Sequence, residues 1–324
     1  MRGKYNNRIL GLAFLLLLAI FALSRLTRIR PGRATLMTDV VAIDTSQVNS
    51  FTLYPQAEEG QAVTFERTGN GWQVTHLDIT VPAAGQAVRN LLAEISSLRA
   101  DQLVSRDPAK WADFSVNDSL GSRIVIREGG RETLDLMVGR FQYQPPPRNN
   151  MNMYGQNRVT GKTYIRLSGE DEVYSVDGFF ALSVNRGFSQ WRNNVLSRVN
   201  TAQLTGLRFD YPADSGFVAR KSDAHWQVAG LTADSARMEQ YLNGLRNLTH
   251  NDFEDTGRPE GEPDYRLTME GDNMSPVMIM AFNAGDSTYL INSSLNPSTW
   301  FKAGYDPLFR RLFPGASALL PEGS

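Results

Sequence analysis

Apolar and polar residues alternate in short runs over much of the chain that follows residue 38. The first three runs occupy 48–55 (VNSFTLYP), 62–68 (AVTFERT) and 71–75 (GWQVT), and turn-forming residues separate them. Runs of this length, rich in β-branched and aromatic side chains, are typical of β-strands. Because the connections between them are short, we predict an antiparallel meander.

The period of the pattern changes after this meander. Five apolar residues recur at spacings of 3, 1, 3 and 3, namely Val88, Leu91, Leu92, Ile95 and Leu98. This spacing places them on one face of an amphipathic helix. Strand-like runs then return as SRIVIRE, TLDLMVG, TYIRLS and EVYSVD. The first part of the chain therefore predicts strands, one helix, and further strands.

The same succession of patterns recurs later in the chain. LTGLRFDYP at 204–212 resembles the first strand, and HWQV at 225–228 resembles GWQV. The helical spacing of 3, 1, 3 and 3 returns in Met238, Tyr241, Leu242, Leu245 and Leu248. With TYLINS matching TYIRLS, four landmarks keep their order at separations of 157, 154, 150 and 125 positions. Their conserved order indicates a tandem duplication.

We therefore predict an α+β fold with two tandem related modules, each a mostly antiparallel sheet with one main amphipathic helix. The predicted boundaries are an N-terminal anchor and basic tether at 1–37, a first module at 38–196 and a shorter second module at 197–324. Each module has enough residues to bury a core of its own.

An apolar segment without polar interruption occupies residues 9–23, and 9–26 is the predicted contact with the lipid bilayer. Its helical length of roughly 22 Å, before residues 24–26 extend it, falls short of a hydrocarbon core of roughly 30 Å. A cleaved signal peptide is the alternative, since basic residues precede the segment and Ala22-Leu23-Ser24 is a small-residue exit. Arginines at 25, 28, 30 and 33 favour an uncleaved signal-anchor helix.

Charge does not decide the orientation of this anchor, because basic residues flank it on both sides. A short tail inside and a large translocated domain is the common arrangement for an N-terminal anchor. We expect a single-pass protein of the bacterial inner membrane with a periplasmic globular part.

Composition limits the chemistry that the chain offers. The 33 basic and 34 acidic residues give a formal net charge of -1, which argues against a nucleic-acid partner. The chain has no cysteine, and its three histidines, His76, His225 and His250, have no metal-ligand spacing. No phosphate-binding loop, nucleophile elbow or dinucleotide fingerprint is present. We expect no catalytic residue, no cofactor and no enzymatic activity.

The segment 142–162 (QYQPPPRNNMNMYGQNRVTGK) is long in the first module and almost missing from the second. A connection of this length in a compact domain is commonly functional. We predict that it docks a partner through Pro145, Pro146, Pro147, Arg148, Met151, Met153 and Tyr154. Two thioethers without a histidine or cysteine nearby make a poor Cu(I) site, so no metal is assigned to them.

Three further segments are given structural interpretations. The carboxylate-rich run 252–265 (DFEDTGRPEGEPDY) is predicted to be a solvated linker. Met278 and Met280 share one strand face and are predicted to belong to the core. Phe188 and Trp191 are predicted to pack the end of the first module against the second.

Several motifs together resemble a bacterial family defined as a domain of unknown function, DUF4340. They are NGWQV with its following helix, KWADFSVNDSLGSRIVI at 110–126, TYIRLSGEDEVYSVDG at 163–178 and SQWRN at 189–193. The resemblance covers most of residues 40–196 and extends more weakly to the second copy. It implies an N-terminal membrane anchor, strand-rich α+β modules, and a genomic setting near ABC transporter components of the gliding-motility type. The Pro- and Asn-rich loop is longer than the family's usual connection.

These observations lead to two functional expectations. The first is a non-enzymatic, membrane-tethered cell-envelope protein that acts as an accessory or scaffold subunit of a membrane complex, such as one of ABC type. Its partner would be a membrane protein. The alternative is an envelope sensor or binding protein for a glycan or peptide, with the loop at 142–162 forming part of the site. The particular small-molecule ligand is unknown.

Overall fold

Two nine-stranded antiparallel sheets form the framework of the described residues in the computed structural model of this chain. The fold is α+β and largely β, which confirms the predicted class. The structure describes residues 41–69, 71–144, 160–223, 225–304 and 307–323. The predicted membrane segment at 9–26 and the predicted docking residues at 145–154 lie outside these ranges. Within them, no helix is long and apolar enough to span a membrane.

Nine of the described strands form the first sheet in the order β4-β3-β2-β1-β6-β7-β8-β9-β5. They are β1 (Val48–Tyr54), β2 (Val63–Thr68), β3 (Gly71–His76), β4 (Ile79–Pro82), β5 (Ala100–Ser105), β6 (Ser122–Glu128), β7 (Arg131–Gln144), β8 (Thr160–Leu167) and β9 (Val173–Asp177).

A short strand pair connects the two parts of the chain, formed by β10 (Val195–Arg198) and β15 (Asn247–Thr249). The other described strands form the second sheet in the order β14-β13-β12-β11-β17-β18-β19-β20-β16, which repeats the order of the first. They are β11 (Leu204–Asp210), β12 (Phe217–Ser222), β13 (His225–Val228), β14 (Leu231–Thr232), β16 (Phe253–Glu254), β17 (Tyr265–Gly271), β18 (Val277–Gly285), β19 (Thr288–Ser293) and β20 (Asn296–Gly304).

One face of each sheet packs on helices. The described helices are α1 (Gly85–Ser96), α2 (Phe180–Val184), α3 (Ser235–Leu245) and α4 (Pro307–Leu312). The helical spacing predicts four buried residues in each main helix correctly: Val88, Leu91, Leu92 and Ile95 in α1, and Met238, Tyr241, Leu242 and Leu245 in α3. The fifth residue of each set is buried but lies beyond the helix end, Leu98 after α1 and Leu248 in β15.

We call the parts of the chain that contain the first and second sheets the first and second halves. Residues that lie side by side across neighbouring strands form rows, and these paired rows show which residues of the two halves correspond. A row across the first sheet contains Leu53, Ile124, Leu136 and Leu167. The matching row of the second sheet contains Phe209, Leu267, Ile279 and Ser293. The strands β1 and β11 are thus 156 positions apart, and β8 and β19 are 126 apart. Two of the sequence matches, the Tyr-Pro pair at a separation of 157 positions and TYIRLS with TYLINS at 125, therefore each differ from the structural correspondence by one residue.

The other two landmarks hold. Trp72 is paired with Arg67 across β2 and β3, and Trp226 is paired with Lys221 across β12 and β13, 154 positions later. A shift of one residue in a strand moves the side chain to the opposite face of the sheet. Shared letters such as Tyr-Pro are therefore a weaker guide to equivalence than the hydrogen-bonded register.

Each half ends in a short helix and a 3-10 turn that close its core, and we call α2 and α4 the closing helices. The amide of Ala84, just before α1, donates to the carbonyl of Trp191 at 2.7 Å, and that of Asp234, just before α3, donates to the carbonyl of Leu319 at 3.0 Å. Trp191 and Leu319 thus occupy the same place, 128 positions apart. Trp191 is fully buried and meets Phe65 edge-on in the first core. Phe188 belongs to the same core, so the prediction that these two residues pack against the second module is wrong.

Arg192 makes the contact between the halves instead. Its buried guanidinium forms two hydrogen bonds of 2.7 Å with Asp255 and lies 3.9 Å from the ring centre of Phe253. Asn296 adds a side-chain hydrogen bond of 2.7 Å to the carbonyl of Asn193. Since Asp255 takes part, the run 252–265 is not only a solvated linker as predicted. The ion pair fixes how the halves meet, because breaking it would leave the buried Arg192 without its partner.

The outer face of each sheet, opposite the helices, is covered differently. In the first half, residues 106–121 cross it in two 3-10 turns, and Val116 contributes to a small buried cluster there. In the second half, Val277 and Ile279 face the core while Met278 lies on the outer face, 39% exposed. Met280 shares that face and is half-buried. The two methionines share a face as predicted, but their assignment to the core is wrong.

Candidate interaction sites at the closing helices

The closing helices place different side chains at equivalent positions. Gly187 and Gly315 each precede a 3-10 turn with nearly identical backbone angles, which sets the correspondence at 128 positions. By this correspondence the exposed Leu182 of α2 matches Arg310 of α4, and Ser183 matches Arg311. The two halves therefore present an apolar residue and a cation from the same place in a shared frame.

An exposed group of apolar side chains surrounds the closing helix of the first half. This aromatic patch contains Phe141, Tyr143, Phe179 and Leu182. Phe141, Tyr143 and Leu182 are 40, 50 and 52% exposed, and the rings of Phe141 and Phe179 meet edge-on with centres 5.8 Å apart. Gly161 makes room for Phe179, since a Cβ there would lie 2.7 Å from its ring. Contiguous exposed apolar surface of this kind commonly marks an interaction site.

The aromatic patch adjoins the loop that the sequence assigns to a partner. β7 and β8 remain paired as far as Gln144 and Thr160, the last described residues on either side of the connection. The predicted docking residues 145–154 lie in that connection. In the second half the equivalent connection is a tight turn in which Asp286 and Ser287 have positive φ values of 48° and 59°. The patch and the long connection are thus features of the first half alone.

Charged side chains of β7 and β8 lie on the other face of the sheet from the patch. Lys162 of β8 makes an ion pair with Asp101 of β5, whose hydrogen bond raises the pKa of Lys162. The guanidinium of Arg140 lies over the ring of Tyr164 at 5.8 Å. Because Gly161 and Thr163 are paired with Tyr143 and Phe141, the alternate residues Lys162 and Tyr164 point away from the patch.

A groove of about 570 Å³ lies between α3 and the closing helix of the second half. This basic groove is lined by three arginines, Arg237, Arg310 and Arg311, and by Tyr241 among other residues. The hydroxyl of Tyr241 donates to the carbonyl of Leu312 at 3.1 Å, and complete burial raises its pKa. Tyr241 therefore holds the closing helix while the arginines face the groove.

A second groove, of about 320 Å³, lies between α3 and strands β12 and β13. It is lined by the half-buried Trp226 and by Lys221, His225 and Glu239, among others. Its counterpart in the first half is filled: Phe51 and Phe65 stack with ring centres 4.3 Å apart and meet Trp72. Leu207 and Ala219 occupy the places of these two phenylalanines. The smaller side chains leave the Trp226 groove open.

The histidines do not form a common site. His76 is buried, with Nδ1 3.1 Å from the carbonyl of Ala62. His250 places Nε2 3.0 Å from the carbonyl of Lys302, and His225 lines the Trp226 groove. Among the described residues, no group of three or more His, Cys, Asp or Glu side chains could hold a metal ion.

Sequence reasoning missed both the aromatic patch and the basic groove. The alternation in FQY at 141–143 continues the strand pattern past its predicted end, and this is the signal that could have found the patch. The groove has a weaker signal, the Arg310-Arg311 pair between two buried residues of α4. Its third arginine, Arg237, lies more than 70 positions earlier, so only the fold brings the three together.

The architecture defines the class of protein as a two-sheet antiparallel α+β protein in which the second sheet repeats the strand order of the first. The chain belongs to the family described as a domain of unknown function (DUF4340), whose family model matches residues 72–269, more than half of the chain. The match begins in β3 and ends in β17, so it includes parts of both halves. No curated protein and no solved structure matches the chain.

Proposed function

We propose that this protein is a non-enzymatic, membrane-tethered accessory or scaffold subunit of a bacterial cell-envelope complex, and that its two halves arose by tandem duplication. The anchor is the segment 9–26, and the globular part lies in the periplasm. The partner is a membrane protein of the complex, of ABC type by the family resemblance. The segment 9–26 supports the tether through its apolar sequence and its basic flanks.

The aromatic patch is the observation that carries the partner-binding proposal. Three large apolar side chains, Phe141, Tyr143 and Leu182, are 40 to 52% exposed, and Phe141 contacts Phe179, the residue just before the helix that carries Leu182. Aromatic side chains at the centre of an interface contribute a large share of its binding energy. The strand that carries Phe141 and Tyr143 leads at Gln144 into the connection that contains the predicted docking residues. The occupant of the patch is an apolar segment of the membrane-protein partner.

The second half supplies a design for the test, because it has the same frame without the patch. Asn283 takes the place of Phe141 in the paired rows, and Arg310 takes that of Leu182 by the correspondence of the closing helices. A variant carrying Phe141→Asn and Leu182→Arg should lose its stoichiometric membrane-protein partner. The measurement is purification of the tagged full-length chain from gently solubilised membranes, with the partner identified and quantified by mass spectrometry.

A matched control introduces the same two replacement residues, Asn and Arg, at two exposed leucines that lie away from the patch. Leu231→Asn and Leu120→Arg alter residues that are 50 and 51% exposed, and this variant should retain the partner. Equal recovery of the membrane protein with both variants would remove the patch from the proposal. If the recovered species is a dimer of this chain alone, the patch joins two copies and the accessory-subunit proposal fails.

The Trp226 groove favours a second candidate function, an envelope binding protein for a glycan or peptide. A half-buried indole beside Lys221 and Glu239 offers a flat apolar face with charges of both signs. In this case the purified protein should be a monomer that retains a glycan or peptide, detected by mass spectrometry after denaturation. Trp226→Ala should remove the retained molecule, whereas the patch variant should keep it.

A further inference from the structure

The basic groove concentrates positive charge at one place on a nearly neutral protein. Arg237, Arg310 and Arg311 line it, and no acidic side chain is among the described residues that do so. The chain as a whole has a formal net charge of -1. Guanidinium groups grouped without lining carboxylates attract anions, because each charge adds to the local potential.

Arg311 is held in place by Gly244, next to the last residue of α3. Its Nη2 donates to the carbonyl of Gly244 at 2.8 Å, and a Cβ on Gly244 would lie 3.0 Å from its Nε. Glycine is unfavourable inside a helix relative to alanine. In the first half the equivalent position in α1 is Glu94. The glycine therefore admits the guanidinium close to the helix backbone, which orients it beside the groove.

Arg237 is also oriented by the backbone. Its Nη1 donates to the carbonyl of Leu320 at 3.1 Å, and its Nη2 donates to Glu322 at 2.9 Å. The side chain of Glu322 is 91% exposed, so an anion in the groove can displace it readily. Arg310 is exposed and has no partner among the described residues. Two of the three cations are thus positioned, and the third is open to a ligand.

The first half has no such charge in the equivalent place. Ala87 corresponds to Arg237 by the separation of 150 positions between the helices, and Leu182 and Ser183 correspond to Arg310 and Arg311. The frame alone does not require arginine at these positions. The charge is therefore a property that the second half has by itself, as expected of a binding site.

We propose that the basic groove binds a phosphate group, carried either by a membrane phospholipid or by a soluble phosphate compound. The planar donors of arginine match the oxygens of phosphate and make paired charge-assisted hydrogen bonds with them. A volume of about 570 Å³ accommodates a phosphate together with the glycerol or other group that bears it. This site is separate from the aromatic patch and does not depend on the proposed partner.

The test is calorimetric titration of the full-length protein in a non-ionic detergent. The probes are inorganic phosphate, glycerol phosphate, short-chain phosphatidylglycerol and short-chain phosphatidylcholine. The parent should bind at least one phosphate-bearing probe. The double variant Arg310→Leu and Arg311→Ser, which installs the residues of the first half, should weaken that binding about tenfold or more. Tighter binding of the phosphatidylglycerol than of glycerol phosphate identifies a lipid, and the reverse order identifies a soluble compound.

A matched control removes two other exposed arginines with the same substitutions, Arg106→Leu and Arg131→Ser. It should bind as the parent does. Arg310→Leu alone leaves the contact between Arg311 and Gly244 intact, so it tests the groove even if the double variant unfolds. The proposal is wrong if the parent binds none of the four probes, or if groove and control variants lose binding equally. Either result would leave partner recovery through the aromatic patch unaffected.

Discussion

The two halves share a strand order and a register, yet their outward surfaces differ. Inside, the row through Leu53 in the first half and the row through Phe209 in the second are apolar, except that Ser293 takes the place of Leu167. Outside, the closing helix presents Leu182 in one half and Arg310 in the other. The packing of the frame depends on apolar volume, whereas solvent-facing positions are free to change in chemistry. The difference shows where to search for function, namely at outward positions that do not match.

The outer faces of the sheets give the same contrast on a larger scale. In the first half, Trp111 and Val116 cover the sheet, and the guanidinium of Arg166 lies 3.8 Å over the indole of Trp111 and donates to the carbonyl of Val116. Burial lowers the pKa of Arg166. In the second half the connection is rich in proline, glycine and acid, and Met278 remains exposed. The two halves therefore pack their outer faces differently.

The equivalent tryptophans of the two halves should differ most strongly in how much stability is lost when each is replaced. Trp72 is buried and in contact with Phe51, whereas Trp226 is half-buried beside an open groove. Trp72→Ala should lower the free energy of unfolding by about 3–5 kcal/mol, as expected for a large core residue. Trp226→Ala should lower it by less than half as much. Urea denaturation of the full-length protein measures both, and equal losses would show that the groove is not open in solution.

A glycine of the first half tests whether the covering segment is firmly packed. A Cβ on Gly139 would lie 2.1 Å from the carbonyl oxygen of Phe114, so Gly139→Ala must displace the segment 106–121. The expected loss of stability is about 1–3 kcal/mol. The second half has Phe282 at this place, and its ring meets that of Trp300 edge-on with centres 5.3 Å apart.

Gly69→Ala is the matched control for that substitution, since a Cβ on Gly69 meets no atom within 4 Å. It should leave the free energy of unfolding nearly unchanged. The same unfolding measurement made on both variants isolates the clash from the general effect of replacing glycine. A Gly139→Ala variant as stable as its control would mean that the segment 106–121 moves aside freely.

The sequence predicts the interior of this protein better than its surface. Hydrophobic periodicity identifies the helix faces that include Leu91 and Leu242, because burial of one helical face requires that spacing. It does not identify the groove or the patch, since both form where residues distant in sequence meet. It also assigns Met278 to the core, because a strand with apolar residues on both faces has no alternation to separate them. The ion pair between Arg192 and Asp255 could not be predicted either, because the two residues are far apart in the sequence.

The ion pair between Arg123 and Asp135 provides a pH-dependent comparison. Burial acts to raise the pKa of Asp135, but the hydrogen bonds from Arg123, at 2.7 and 2.6 Å, and from Ser168 lower it overall. A carboxyl whose pKa is lower in the folded state stabilises that state above the unfolded pKa of about 3.9, and the contribution disappears as pH falls through the folded value. In the second half Met278 occupies the position of Asp135.

Asp135→Asn should therefore lower the free energy of unfolding by about 1 kcal/mol at pH 7. The difference from the parent should shrink below about pH 4 and disappear in stronger acid. Unfolding by urea at pH 7, 5 and 3 measures it. A loss of the same size at all three values would indicate that the amide perturbs packing rather than removing a charge.

The smallest effect on stability is expected where the outward surfaces differ most. Leu182 and Arg310 are both exposed on short closing helices, so neither Leu182→Arg nor Arg310→Leu should change the free energy of unfolding by more than about 0.5 kcal/mol. Yet Leu182→Arg should weaken recovery of the membrane-protein partner, and Arg310→Leu should weaken phosphate binding. If either substitution instead unfolds the protein, the substituted residue stabilises the fold. The proposal of a separate binding surface on that half would then be wrong. If stability is unchanged and binding is lost, the two copies of the same fold carry two different binding surfaces.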